Sequence, residues 1–177
     1  MRTIAIRTLP ALALLLAATP AVAHPGHDYG TGLAAGLIHP FTGLDHLTAM
    51  LLVGIWSMRC YRDRWWMLPF SFMAAMSIGF LAGHAPIALP ADGVILATLP
   101  VLGIMALFAP RLPIAIAAGT VAAFAVAHGY AHAREASGGH LGFAAGMLVA
   151  TAVLHGLGLM LGRAIQPRRQ PAAARHP

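Results

Sequence analysis

Five long apolar segments follow one another along this chain, at roughly 30–58, 65–83, 93–108, 112–133 and 141–162, and this layout limits the fold more than any other feature. Each is near the ~20 residues that a membrane span needs, the third being the shortest. Hydrocarbon offers no water to satisfy open backbone groups, so segments of this kind have to be helices. Composition agrees: 59% of residues are hydrophobic and 9% charged, against about 25% charged in a soluble domain. Mean hydropathy is +0.75. Once the segments are laid out, no room is left for a separate soluble domain. The expected fold is all-α, a polytopic membrane helical bundle over residues 24–165 with about five transmembrane helices, the first of them broken near Pro40.

The start of the chain has the pattern of a signal peptide. Arg2 and Arg7 supply a positive region, residues 9–18 a short apolar stretch, and Ala21-Val22-Ala23 a small-x-small cleavage site. Residues 1–23 would be removed and His24 would become the first mature residue. The stretch 166–177, rich in Pro, Ala and Arg, is expected to be a disordered cytoplasmic tail.

The net charge of +6 does not point to nucleic acid. The chain has no lysine, and its arginines lie at the ends of apolar segments, where they act as topology signals. With the mature N-terminus outside, Arg59, Arg62, Arg64, Arg111, Arg163, Arg168, Arg169 and Arg175 fall inside and only Arg134, beside Glu135, falls outside. This strong positive-inside bias predicts a bacterial inner-membrane protein with a periplasmic N-terminus and a cytoplasmic C-terminus. Trp65 and Trp66 sit where an interfacial aromatic belt would put them. Cys60 is the single cysteine, which excludes an intramolecular disulfide and a thiolate metal cluster. Small residues in the spans, Gly36, Ala75, Gly119 and Gly146 among them, allow close helix packing.

Polar groups inside the spans are the candidate functional residues. An ionisable side chain at the bilayer centre costs ~3 kcal/mol on insertion scales and marks a functional site by default. The first span carries His39-Pro40-Phe41-Thr42-Gly43-Leu44-Asp45-His46. In a regular helix His39 and His46 are two turns apart on one face, with Met50 a turn further on. Asp45 would point about 100° from His46. It ligates an ion only if Pro40 and Gly43 distort the helix, and otherwise fixes a histidine tautomer. The fourth span ends in His128-Gly129-Tyr130-Ala131-His132-Ala133-Arg134-Glu135, with His128 and His132 one turn apart and Glu135 following. Two imidazoles at this spacing are a metal-binding geometry. His84 ends the second span and His155 lies within the fifth, while His140 reads as a solvated surface residue. Topology groups His39, His84, His128 and His132 in the periplasmic half, with Asp45, His46 and His155 deeper, as an outer site leading to an inner one. At the mature N-terminus, His24 would offer both an amine and an imidazole, with His27 close by. Nitrogen-rich donors suit nickel, copper, zinc or cobalt rather than calcium or magnesium, and the affinity order alone does not select nickel.

The pattern His39-Pro40-x-x-Gly43-x-Asp45-His46-x-x-x-Met50-x-x-Val53-Gly54 resembles the first-helix signature of the HupE/UreJ family. Phe80-Leu81-Ala82-Gly83-His84, the run His128-Gly129-Tyr130-Ala131-His132-x-x-Glu135, and the last span with His155 also resemble it. The resemblance spans essentially the whole chain. It implies a membrane protein that supplies nickel for hydrogenase or urease, a nickel permease, with metal roles for His39, Asp45 and His46 first and His128, His132 and Glu135 next. Its partners would be the divalent ion, the lipid bilayer and, indirectly, nickel metallochaperones downstream; a homo-oligomer is compatible with the sequence.

No catalytic role is expected. The chain lacks the Gly-x4-Gly-Lys-Ser/Thr loop, so it does not hydrolyse ATP through one, and it lacks the His-Glu-x-x-His motif of a zinc hydrolase. No prosthetic group is implied; Ni(II), with Co(II) as a close competitor, would be cargo. Two alternatives stay open. One is a b-type haem protein with axial histidines on facing helices. The other is a metal-binding accessory subunit that does not itself transport.

Overall fold

A computed structural model describes residues 32–136 and 139–166. The expected signal peptide, all but the first residue of the expected 166–177 tail, and His24 and His27 lie outside these residues. The described part contains six α-helices and no strand: α1 Leu33–Thr42, α2 Leu44–Cys60, α3 Met67–Ala82, α4 Ala91–Phe108, α5 Ile114–Glu135 and α6 His140–Ala164. A 3-10 turn at Arg62–Arg64 joins α2 to α3.

Helices α4, α5 and α6, of 18, 22 and 25 residues, are each long and apolar enough to cross a membrane. Helices α1 and α2 are together long and apolar enough for a fourth span, and they are bent by 82° at their junction, the geometry of a broken span or a re-entrant loop. Helix α3 is equally apolar but has 16 residues, about 24 Å at 1.5 Å per residue and so short of a full hydrocarbon core. All five expected segments are therefore helical, and the second stops short of a full span. Large apolar side chains remain on the outside, among them Leu81, Phe108 and Leu141. Trp56, Phe72, Met50 and Met76 are fully enclosed. An apolar exterior around an apolar core identifies a membrane protein.

The break expected near Pro40 falls at Gly43, three residues on. Pro40 lies inside α1 and is buried. It removes one backbone donor near the helix end, which weakens the last turn without kinking it open. Gly43 alone takes an extended backbone, φ −94° and ψ 113°, and caps both helices. A Cβ at this position would fall 2.8 Å from Asp45 Oδ1 and 2.9 Å from His46 Nδ1. Glycine thus leaves room for two polar side chains to meet beside the break.

Packing divides the helices into two groups. Helix α6 lies along both α1 and α2, while α3 lies along α5; α4 touches α2 and α5. Glycines set each of the close contacts. A methyl on Gly36 would strike the Phe143 carbonyl, and one on Gly146 the Leu33 carbonyl, so α1 and α6 meet backbone to backbone. Gly54 and Gly158 do the same for α2 and α6, and Gly79 and Gly129 for α3 and α5. Association of this kind rests on van der Waals contact between small residues, since lipid supplies no hydrophobic drive between helices.

One end of the bundle is fastened by hydrogen bonds from the Arg-bearing loops. Arg59 donates to the carbonyls of Ala106 and Leu107, the Tyr61 hydroxyl to Leu112 O at 2.8 Å, and Gln166 Nε2 to Met58 O at 2.7 Å. At the opposite end Tyr130 donates to Ile87 O at 2.6 Å, and the Arg134 guanidinium stacks on the Tyr130 ring. The arginines in the described loops are therefore sorted by end, as the sequence pattern requires of a polytopic chain.

Candidate metal centre

The break at Gly43 brings two histidines together that a straight helix would have held about 10 Å apart. His39, three residues before the end of α1, and His46, on the first turn of α2, turn toward the same point, their ring centroids 5.8 Å apart. His132 of α5 completes the group, with its ring centroid 4.8 Å from that of His39 and 4.5 Å from that of His46. One ring nitrogen from each of the three lies within 4.8 Å of the others. Glu135 joins from one turn along α5: its Oε2 is 3.3 Å from His39 Nε2 and 3.6 Å from His132 Nδ1. Three imidazoles and one carboxylate thus converge from three helices.

Exposure is graded across the group. The Glu135 side chain is 41% exposed, His39 29%, His46 12% and His132 0%. Glu135 is therefore the mouth and His132 the floor. An open depression of about 500 Å³, lined by Asp92, Tyr130 and Arg134 among others, shares Glu135 with the histidines. The same carboxylate faces both the outside depression and the enclosed ring nitrogens.

Asp45 does not point into the group. Its Oδ1 accepts a 2.9 Å hydrogen bond from His46 Nδ1. That bond places the His46 proton on Nδ1 and leaves Nε2 as a lone-pair donor. His46 Nε2 is buried and has no hydrogen-bond partner, and neither ring nitrogen of His132 has one. Buried polar atoms are otherwise nearly always bonded. Their convergence on a common point is what a cation site requires, and a nitrogen-rich set with one carboxylate suits nickel, cobalt, zinc or copper.

The remaining candidates are placed as follows. His128, one turn below His132, lies next to His46 with ring centroids 5.3 Å apart, and its Nδ1 donates to Phe124 O at 2.9 Å. His155 is in the lower part of the bundle, away from the group, and its Nδ1 donates to Thr151 O at 2.7 Å. His84 sits at the end of α3, bonded to Phe80 O, and its ring packs against His140 at 4.7 Å. The stacked Phe80 and Phe143 rings lie between that pair and His39. One expectation is corrected: His39 and His46 do not belong to separate outer and inner sites, because the 82° bend brings their rings to 5.8 Å, His46 being the less exposed of the two. His140 is exposed, as expected of a surface residue, and its ring also touches His84. Its contact with His84 joins residues 56 positions apart (140 minus 84), and no local signal in the sequence reports it.

The chain matches the family described as HupE / UreJ protein over residues 12–176. It is 38% identical over 158 residues to Protein HupE of Rhizobium leguminosarum bv. viciae, covering 87% of this chain and 80% of that one. No solved structure matches it. The converging residues come from the two motifs that resemble this family, and the match runs through both: the chain belongs to the HupE/UreJ family.

Proposed function

We propose that this chain is a permease that moves Ni(II), with Co(II) as its nearest competitor, across the bacterial inner membrane to supply hydrogenase or urease. The observation that carries the proposal is the convergence of His39, His46 and His132, with Glu135, inside a membrane protein of this family. A site on α1, α2 and α5 that opens toward one end and is closed beneath suits capture from that side. With the arginine-rich end in the cytoplasm, the mouth at Glu135 faces the periplasm.

The donor set explains how a dication could be held in a low-dielectric bundle. Glu135 contributes one negative charge directly, and Asp45 contributes a second through His46. Together they balance the two positive charges of the ion, which lowers the cost of removing it from water. The three imidazoles replace waters of hydration with nitrogen ligands that borderline metals prefer. A haem is a poorer fit. With three ring nitrogens this close, the third imidazole stands where the porphyrin between two axial histidines would have to lie.

The test is uptake of radioactive nickel by cells that depend on this gene at limiting metal, with cobalt, zinc and copper as competitors. His46→Ala and His132→Ala are expected to abolish uptake, and excess nickel to restore urease or hydrogenase activity. Normal uptake by both variants would overturn the proposal.

A further inference from the structure

Outside the His39–His46–His132 group, the described residues hold three buried polar atoms with no hydrogen-bond partner: Trp56 Nε1, Thr151 Oγ1 and His155 Nε2. Thr151 and His155 are one turn apart on α6 and so share a face. His155 is 2% exposed and Thr151 0%. Gly54 of α2 packs on the His155 backbone, which puts Trp56, two residues further along α2, near the same depth. Leaving an imidazole acceptor and a hydroxyl buried and unpaired is costly, and packing alone does not explain it.

The His155 tautomer is fixed. A carbonyl oxygen only accepts, so the bond to Thr151 O holds the proton on Nδ1 and leaves the Nε2 lone pair free. His128 is fixed in the same way by Phe124 O. A single ring, Phe72, connects the two: its centroid is 5.7 Å from that of His128 and 5.1 Å from that of His155. His128 in turn touches His46 of the upper group. From Phe143, at the level of His39, to His155 the rise along α6 is about 18 Å, so His155 is well separated from the upper group.

We infer that His155 and Thr151 form a second cation site, separated from the upper one by the Phe72 ring, where a divalent transition-metal ion rests after leaving His46 and His132. The inference depends on the permease function and adds a second binding step to it. His128 is the bridge between the sites. Phe72 is the barrier, since its ring must turn aside for an ion to pass from one imidazole to the next. The hydroxyl of Thr151 takes the place of a bound water, and His155 Nε2 is the nitrogen ligand.

The experiment uses the purified full chain, with Co(II) as a spectroscopic probe and Ni(II) uptake into vesicles as the transport readout. Wild-type protein is expected to bind Co(II) at the upper site and a second, weaker equivalent below. His155→Gln should keep the first spectrum, lose the second equivalent, and cut Ni(II) uptake by about tenfold or more, the scale of a lost metal contact. Thr151→Val, which keeps the side-chain shape, should weaken only the second equivalent. Wild-type uptake and stoichiometry in His155→Gln would overturn the second site and leave the upper one standing. Loss of the upper-site spectrum in that variant would overturn the separation of the two sites. A wild-type protein that binds no Co(II) would overturn the permease function itself.

Discussion

Asp45 and Glu135 show two ways for a carboxylate to serve a cation site. Glu135 stands among the ring nitrogens, whereas Asp45 acts through the proton it holds on His46. The two should therefore fail differently. Asp45→Asn keeps the shape and a hydrogen bond but loses the charge, and Co(II) affinity at the upper site should fall by about 10–100-fold. His132→Ala removes the enclosed ligand and should abolish binding at the same concentrations. Titration of purified protein followed by Co(II) absorption separates the two outcomes. Much of this was readable in advance: an aspartate beside a histidine within a span has few other uses, and the choice between ligand and tautomer holder was already framed by helical phase. The outcome depended on Gly43. The sequence alone contains no value of φ and ψ, and the resulting bend brings the His46 ring to 5.8 Å from that of His39 while Asp45 stays bonded to His46 Nδ1.

At the scale of the helix, glycine does two separate jobs. Gly43 opens a gap for side chains, whereas Gly36, Gly54, Gly79, Gly129, Gly146 and Gly158 let backbones touch. Gly119 does neither, because a methyl there meets nothing within 4 Å. Gly129→Ala should thus destabilise by about 1–3 kcal/mol through overpacking. Gly119→Ala, within the same helix, should be neutral or stabilise by up to about 1 kcal/mol through helix propensity. Thermal unfolding in detergent, with both variants compared to wild type, tests the pair. Small residues in the spans announced close packing in general. They did not announce which faces pair, since Gly36 and Gly146 are 110 positions apart (146 minus 36) and only the assembled bundle brings them together.

For the molecule as a whole, the upper site lies across the seam between two packing groups. His39 and His46 belong to the α1–α2–α6 group, while His132 and Glu135 belong to α3–α5. An ion held by all four ties the groups together. Ni(II) at about 100 times its Kd should stabilise the folded protein by about 2.7 kcal/mol. That effect should vanish in His132→Ala and on chelation, measured as the shift in Tm. The all-helical membrane bundle and the sorting of charge were legible from apolar length and from the arginines, the count of about five spans only approximately. The seam was not, because it depends on contacts between helices far apart in the chain.

The pairing of α6 with α1 and α2 also sets a timetable for making the protein. The helix that covers the first two is the last of the six described helices to be synthesised. Roughly 80 residues separate Cys60 from His140, and at 5–20 residues per second the first two helices wait roughly 4–16 s for their partner. During that interval the glycine faces of α1 and α2 and the ring of His39 lack the α6 surface that they pack on in the finished bundle. Those glycine faces stay uncovered until α6 enters the bilayer, and a chain ended after α5 leaves them so.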